Sequence, residues 1–85
     1  MFFKKRKIFA VQTGTYAGEM WIFCKSRGDD LLFLSIPVME NRSISKELFY
    51  NGLKNNIVKY VEKIPRYVYR IAVKQFDKNE KTLNN

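Results

Sequence analysis

This sequence of 85 residues contains no histidine and only one cysteine, Cys24. Histidine is the commonest general acid–base and metal-binding side chain, and a single thiol cannot form an intramolecular disulfide. We therefore expect neither a zinc nor a haem site, and no cofactor. Because Cys24 lies in an apolar, strand-like run, we expect a buried, reduced thiol, which is typical of a cytoplasmic protein.

The sequence also lacks an apolar run that approaches the roughly 20 residues of a membrane-spanning helix. Its basic opening looks like the start of a signal peptide, but the apolar run that follows, Ile8 to Val11, is too short for one. We therefore predict a cytoplasmic protein that does not associate with membranes.

Catalytic motifs are missing as well. There is no Gly-x-Ser-x-Gly elbow, no phosphate-binding Gly-Lys-Ser/Thr loop and no cysteine dyad. The enzymatic alternative is a ribonuclease without histidine that would use Tyr67 with Arg66, Arg70 and Lys74. We predict that the protein is not an enzyme.

Acidic residues are scarce: eight Asp and Glu stand against sixteen Lys and Arg, which gives a formal net charge of +8. Such an excess favours binding to an anion, whether nucleic acid, an anionic membrane face or an acidic protein. The same charge could instead serve only to keep a small basic protein in solution.

Aromatic residues are abundant, with seven Phe, five Tyr and one Trp. A domain of this size buries only about 60–65% of the surface of its unfolded chain. Either the core is unusually aromatic, or a homodimer buries part of this surface. Phe9, Trp21, Phe23 and Phe33 could also stack on RNA bases from an open sheet face, although large aromatic side chains more often lie in a core.

Alternating apolar residues predict three strands, at positions 7–13, 19–25 and 31–36, joined by short turns in an antiparallel meander. Positions 38–42 then form a connector. Positions 1–6 are predicted to form a basic N-terminal arm.

The period of the apolar residues changes after the meander. Ser43 or Ser45 offers an N-cap for an amphipathic helix from about 44 to 64, in which Gly52 would mark a close packing point. Pro65 ends this helix and begins a fourth strand at 65–76.

The predicted fold is therefore α+β, in the order β-β-β-α-β. It has a four-stranded, mostly antiparallel sheet and one amphipathic helix packed on one face. Positions 7–76 form a single domain, and 77–85 form a polar tail that we expect to be disordered.

The last predicted strand has a core face and a basic face. The core face carries Tyr67, Tyr69, Ile71 and Val73, and the basic face carries Arg66, Arg70 and Lys74. Alternate side chains of a strand lie about 6.5–7 Å apart, close to the phosphate spacing of an extended single strand. Arginine can also bind phosphate with paired donors. Together with the basic arm and two lysines of the predicted helix, this predicts a nucleic-acid-binding surface made of Lys4, Lys5, Arg6, Lys7, Lys54, Lys59, Arg66, Arg70 and Lys74.

The length, the opening Met-Phe-Phe-Lys-Lys-Arg-Lys and the Lys- and Asn-rich composition resemble the small accessory proteins of T-even-type bacteriophages. Within that group, the chain is similar in length and charge to phage inhibitors of the ToxN endoribonuclease toxin. The resemblance implies a protein that antagonises a host defence ribonuclease toxin. RNA would bridge the two, because two basic proteins repel each other. The alternative is an inhibitor that caps a host protein with its aromatic sheet face and uses no nucleic acid.

Overall fold

The structure, a computed structural model, describes residues 6–83. In this range the chain forms five strands and two helices, which are β1 (Lys7–Val11), β2 (Met20–Arg27), β3 (Asp30–Ile36), β4 (Glu40–Ser45), α1 (Lys46–Lys54), β5 (Val58–Lys63) and α2 (Arg66–Leu83). The strands form one antiparallel sheet in the order β4-β3-β2-β1-β5. The α+β class is confirmed, whereas the predicted four strands and single helix are wrong.

The first three strands form the predicted antiparallel meander. Phe9 faces Trp21 across β1 and β2, and Phe23 faces Phe33 across β2 and β3. Only two residues separate β2 from β3, and the φ of +60° at Gly28 is one that glycine adopts without strain.

The predicted helix at 44–64 is wrong over most of its length. Residues 40–45, predicted as connector and helix start, form the edge strand β4. Ser45 caps the much shorter α1, and its Oγ accepts a hydrogen bond from the Leu48 amide at 3.2 Å. After α1, Asn56 adopts a left-handed φ of +60°, which asparagine tolerates better than most residues, and the chain turns into β5.

Gly52 allows α1 to lie close to the strand that follows it. The residue is buried, and a Cβ atom at this position would lie 3.3 Å from Val58 Cγ2. A contact this short would require Val58 to shift by a few tenths of an ångström. The prediction that Gly52 marks a close packing point is confirmed.

The predicted strand at 65–76 is also wrong, because these residues belong to the 18-residue helix α2. Its buried and half-buried hydrophobic residues have helical spacing, and they are Val68, Tyr69, Ala72, Val73 and Phe76. Tyr67 and Ile71, predicted in the core, are 66% and 61% exposed. The predicted disordered tail is helical from 77 to 83, and positions 84–85 lie outside the described residues.

The two helices cover opposite faces of the sheet. α2 packs on an aliphatic cluster that includes Ile8, Ile22 and Leu34, and α1 packs on a largely aromatic one. The aromatic face carries Phe9, Trp21, Phe23 and Phe33, none of which is more than 9% exposed. The idea that these four rings stack on RNA bases is therefore wrong, and they are core residues.

Cys24 lies in the aliphatic cluster under α2 and is 4% exposed. Burial raises the pKa of its thiol to about 12, so the thiol stays protonated. The predicted buried thiol is confirmed. Neither α1 nor α2 is long and apolar enough to cross a membrane.

Candidate nucleic-acid interface

The connection from β5 to α2 brings Arg6 next to the start of α2. The Ile64 amide donates to the Arg6 carbonyl at 2.7 Å, and Arg6 Nε donates to the Ile64 carbonyl at 3.2 Å. Arg6 has a φ of +59°, in a left-handed region that residues with a Cβ atom rarely adopt. The reciprocal hydrogen bonds hold Arg6 in this conformation and fix its guanidinium beside the first turn of α2.

Arg6, Arg66, Tyr69 and Arg70 line a surface cavity of about 400 Å³, here called the arginine pocket. No ion pair within residues 6–83 involves any of its three guanidinium groups. The Tyr69 hydroxyl donates to the Cys24 carbonyl at 3.0 Å, and this bond fixes the ring as one wall. Burial also raises the pKa of Tyr69, so the pocket carries three positive charges at neutral pH and no compensating tyrosinate.

Arg66, Arg70, Lys74 and Lys78 recur every fourth residue of α2 and form a stripe along the helix, here called the basic stripe. Successive positions are about 6 Å apart along the helix axis. In the strand predicted from the sequence, residues four apart would have been about 13 Å apart. The helix therefore brings these cations closer together than the predicted strand would have done.

The two acidic residues of α2 do not neutralise the basic stripe, because each pairs with a cation of β2. Asp77 binds Lys25 at 2.7 Å, and Glu80 binds Arg27 through two hydrogen bonds of 2.9 and 3.1 Å. Hydrogen bonding to Arg27 holds the pKa of Glu80 below its usual range, as expected for a carboxylate paired with a cation.

Lys7, the first residue of β1, lies directly opposite Lys63, the last residue of β5. Like charges in directly opposite positions destabilise a strand pair. The Lys7 Nζ atom lies 5.2 Å from the centre of the Tyr60 ring, and this cation–π contact offsets part of the cost. Because side chains alternate along β1, Lys7 points to the sheet face opposite the one that Ile8 shares with α2.

The structure brings together only part of the predicted site. Arg6, Arg66 and Arg70 share the arginine pocket, and Lys74 continues the stripe beside it. Lys7 is adjacent in the chain but on the other sheet face. Lys4 and Lys5 lie outside the described residues.

The two remaining predicted residues lie away from the pocket. Lys54 is in the last turn of α1, which packs on the opposite face of the sheet. Lys59 faces Ala10 across β5 and β1, about 13 Å along the strand from Lys63.

Two members of this surface do not follow from the sequence-based prediction. Lys78 falls in the predicted tail, and Tyr69 falls in the predicted core without a role in the site. The four-residue repeat from Arg66 to Lys78 is a helical signal that could have identified Lys78.

A second polar cluster, on the α1 side of the sheet, is structural. Arg42 donates two hydrogen bonds to the Glu19 carboxylate, at 3.1 and 2.9 Å, and Ser35 and Trp21 donate to the same group. These donors, chiefly Arg42, lower the pKa of Glu19 to about 2. The Arg42 guanidinium also stacks 4.2 Å from the centre of the Tyr16 ring. Arg42 is thus fully engaged and is not available to a ligand.

Within the described part of the chain, no group of three or more Cys, Asp or Glu side chains is arranged to hold a metal ion. No protein-family model matches this chain, and no similar curated protein or solved structure was found. The geometry and charge of the residues described above are therefore the basis for inferring a function.

Proposed function

We propose that this chain is a non-enzymatic, cytoplasmic RNA-binding protein that holds RNA phosphates in the arginine pocket and along the basic stripe. The observation that carries the proposal is the convergence of Arg6, Arg66 and Arg70 on one cavity. Arginine is suited to phosphate because its planar guanidinium presents paired donors, and it stays charged at every physiological pH.

The charge distribution supports the same conclusion. The pocket and the stripe together contain five cations, with no carboxylate paired to them among residues 6–83. Clustering like charges costs stability, and a bound polyanion would remove that cost. Binding of this kind is mainly electrostatic and has little sequence specificity.

Tyr67 gives the surface a means of contacting bases. Its side chain is 66% exposed and lies between Arg66 and Arg70 in the chain, next to the exposed Ile71. A ring that is held on a helix among phosphate-binding cations can stack on a base of any identity. We propose that Tyr67, rather than the buried rings of the sheet, is the stacking residue.

Antagonism of a host ribonuclease toxin is a further proposal, which depends on the resemblance of the whole chain to phage accessory proteins. RNA would bridge this basic protein and its partner. The second candidate function is an inhibitor that binds a host protein without RNA. The exposed Tyr67 and Ile71 favour this candidate, and the same two residues could instead form the interface of a homodimer.

The proposal is tested by binding of a labelled, single-stranded RNA of about 12 nucleotides at 50–200 mM KCl, measured by fluorescence polarisation. Each phosphate contact contributes about −0.7 to the slope of log affinity against log salt. Four contacts would then weaken binding by roughly 50-fold over this range. An affinity that does not change with salt would contradict the proposal.

The second candidate makes a different prediction for the protein purified from cells. If RNA is the partner, the purified protein should carry nuclease-sensitive material that absorbs near 260 nm. If the protein binds only another protein, this material should be absent.

A further inference from the structure

We propose that the arginine pocket recognises the terminal phosphate of an RNA, a phosphate monoester, in preference to the diesters within the strand. This inference rests on the proposed RNA-binding function and names the part of the RNA that this pocket takes. The basic stripe would bind the internal phosphates that follow.

The number of donors in the pocket matches a terminal phosphate. A monoester presents three acceptor oxygens and carries a charge of about −1.5 to −2 at neutral pH, whereas an internal diester offers two free oxygens and one charge. Three guanidinium groups line the pocket, and each can offer two parallel N–H donors. An internal diester would bring fewer acceptor oxygens and only one negative charge to the same three cations, so the pocket would attract it less strongly.

The guanidinium groups are placed to act together. Arg6 is held through Nε, and no hydrogen bond within residues 6–83 uses its terminal Nη atoms. Arg66 and Arg70 lie one turn apart on α2, so their side chains project in similar directions. The pocket is thus formed by two separate chain segments that the Arg6–Ile64 hydrogen bonds join.

The start of α2 adds to the attraction for a doubly charged group. The first turn of α2 contains no acidic residue. Within residues 6–83, its first amides, those of Arg66 to Val68, have no backbone acceptor. The N-terminus of a helix attracts anions, and here it supplements the three arginines rather than forming a site alone.

A second cavity beside the pocket is suited to the nucleoside that carries the phosphate. This groove of about 320 Å³ shares Tyr69 and Arg70 with the arginine pocket, and its other lining residues are Ile71, Val73 and Lys74. Its apolar part suits the face of a base, and Lys74 leads on to the rest of the basic stripe. A terminal phosphate in the pocket would thus be followed by a nucleoside in the groove and by the strand along α2.

The test compares three RNAs of one sequence, about eight nucleotides long and labelled on a mid-strand base. One carries a 5′-phosphate, one a 3′-phosphate, and one has hydroxyl groups at both ends. At 150 mM KCl, we expect one phosphorylated RNA to bind at least about tenfold more tightly than the hydroxyl-ended RNA, and the preferred end shows which terminus is recognised.

The variant that isolates the pocket is Arg66→Lys with Arg70→Lys, which keeps both charges but removes the paired donors. It should lose the preference for a phosphorylated end: its affinity for the preferred phosphorylated RNA should fall more than its affinity for the hydroxyl-ended RNA, until the two lie within about twofold of each other. The matched control, Lys46→Arg with Lys54→Arg on α1, should keep the preference. Circular dichroism of both variants shows whether they are folded.

Equal binding of all three RNAs, with a steep salt dependence, overturns this inference and leaves the proposed function standing. A preference that persists in the double lysine variant overturns the assignment to this pocket. Salt-independent binding, or no binding of any RNA, overturns the proposed function itself.

Discussion

The two helices lie on opposite faces of one sheet, and their first turns are built in opposite ways. α1 begins with the Ser45 cap and has Glu47 in its first turn, where the helix dipole favours a negative charge. α2 begins with Arg66, has no acidic residue in its first turn and lies beside Arg6. Stability alone favours the arrangement in α1, and the proposed binding of RNA phosphates would account for the different arrangement in α2.

The cores under the two helices also differ, in the kind of side chain that they contain. Under α1, the Phe33 ring packs against Phe9, Trp21, Phe23 and Phe49, with ring centres 5.1–6.2 Å apart. Under α2 the sheet is aliphatic, and polar ion pairs border the helix. Both sides bury a core, but the rings are packed on the α1 side, while the outer face of α2 carries the arginine pocket and the basic stripe. The core under α1 also shows that a single copy of the chain can bury many of its aromatic side chains.

The largest effect is expected from Phe33→Ala, which removes the ring at the centre of the aromatic cluster. Phe33 is fully buried, so the variant should lose about 3–5 kcal/mol of unfolding free energy. Urea denaturation followed by Trp21 fluorescence measures this loss. The control, Tyr67→Ala on the exposed face of α2, should cost less than about 0.5 kcal/mol. Equal losses in the two variants would contradict the burial of Phe33 in the aromatic core and the exposure of Tyr67 on α2.

The next largest effect is expected from Glu19→Gln, which breaks the ion pair with Arg42. Both side chains are 14% exposed, and the loss at pH 7 should be about 1–3 kcal/mol. Because the pKa of folded Glu19 is about 2, below its ordinary 4.5, this stabilisation is present above about pH 4.5 and disappears as the pH falls towards 2.

Urea midpoints at pH 7, 4.5 and 2.5 measure this pH dependence. The parent protein should lose stability on acidification, and the Glu19→Gln variant should lose less. Identical pH profiles for the parent and the variant would show that the ion pair contributes nothing.

The smallest effects on stability are expected from exchanging the charges of the two first turns. Arg66→Glu should stabilise the protein by about 0.3–1 kcal/mol, because it places a negative charge at the start of α2. Glu47→Arg should destabilise it by a similar amount at the start of α1. Thermal unfolding at low salt detects both changes. A loss of stability in Arg66→Glu would mean that Arg66 has a structural role in the free protein.

The elements that could be predicted from the sequence are those whose local sequence pattern agrees with the fold. The three alternating segments became β1, β2 and β3, and Ser45 proved to be the cap of a helix. Gly52 was correctly identified as a packing point, because a glycine inside a helix usually has a packing reason.

The prediction of one long helix at 44–64 was wrong because several of its apolar residues are exposed rather than buried. Leu48, Ile57 and Val61 appeared to continue one helical stripe, but they are 62%, 42% and 44% exposed. The left-handed turn at Asn56 breaks the pattern, and the pairing of β5 with β1 decides the rest. Such long-range pairing cannot be read from local periodicity.

In the segment after Pro65, the residue types favour a strand and the spacing of the apolar residues favours a helix. Its β-branched and aromatic residues favour a strand, whereas the spacing of Val68, Ala72 and Phe76 is helical. Pro65 fits equally well before a helix, because its missing amide costs nothing there. The cations of this segment share a face of α2, but the pocket also depends on Arg6, which is brought close only by the tertiary fold.

Whether the arginine pocket binds RNA is tested by two variants with the same change in net charge. Arg66→Gln with Arg70→Gln alters the α2 side, and Lys46→Gln with Lys54→Gln alters the α1 side. Single-stranded RNA binding is measured at 100 mM KCl for both. We expect the first variant to bind at least about tenfold more weakly than the parent, and the second to bind within about threefold of it. Equal losses would contradict the account, because they would show that net charge rather than the arginine pocket determines binding.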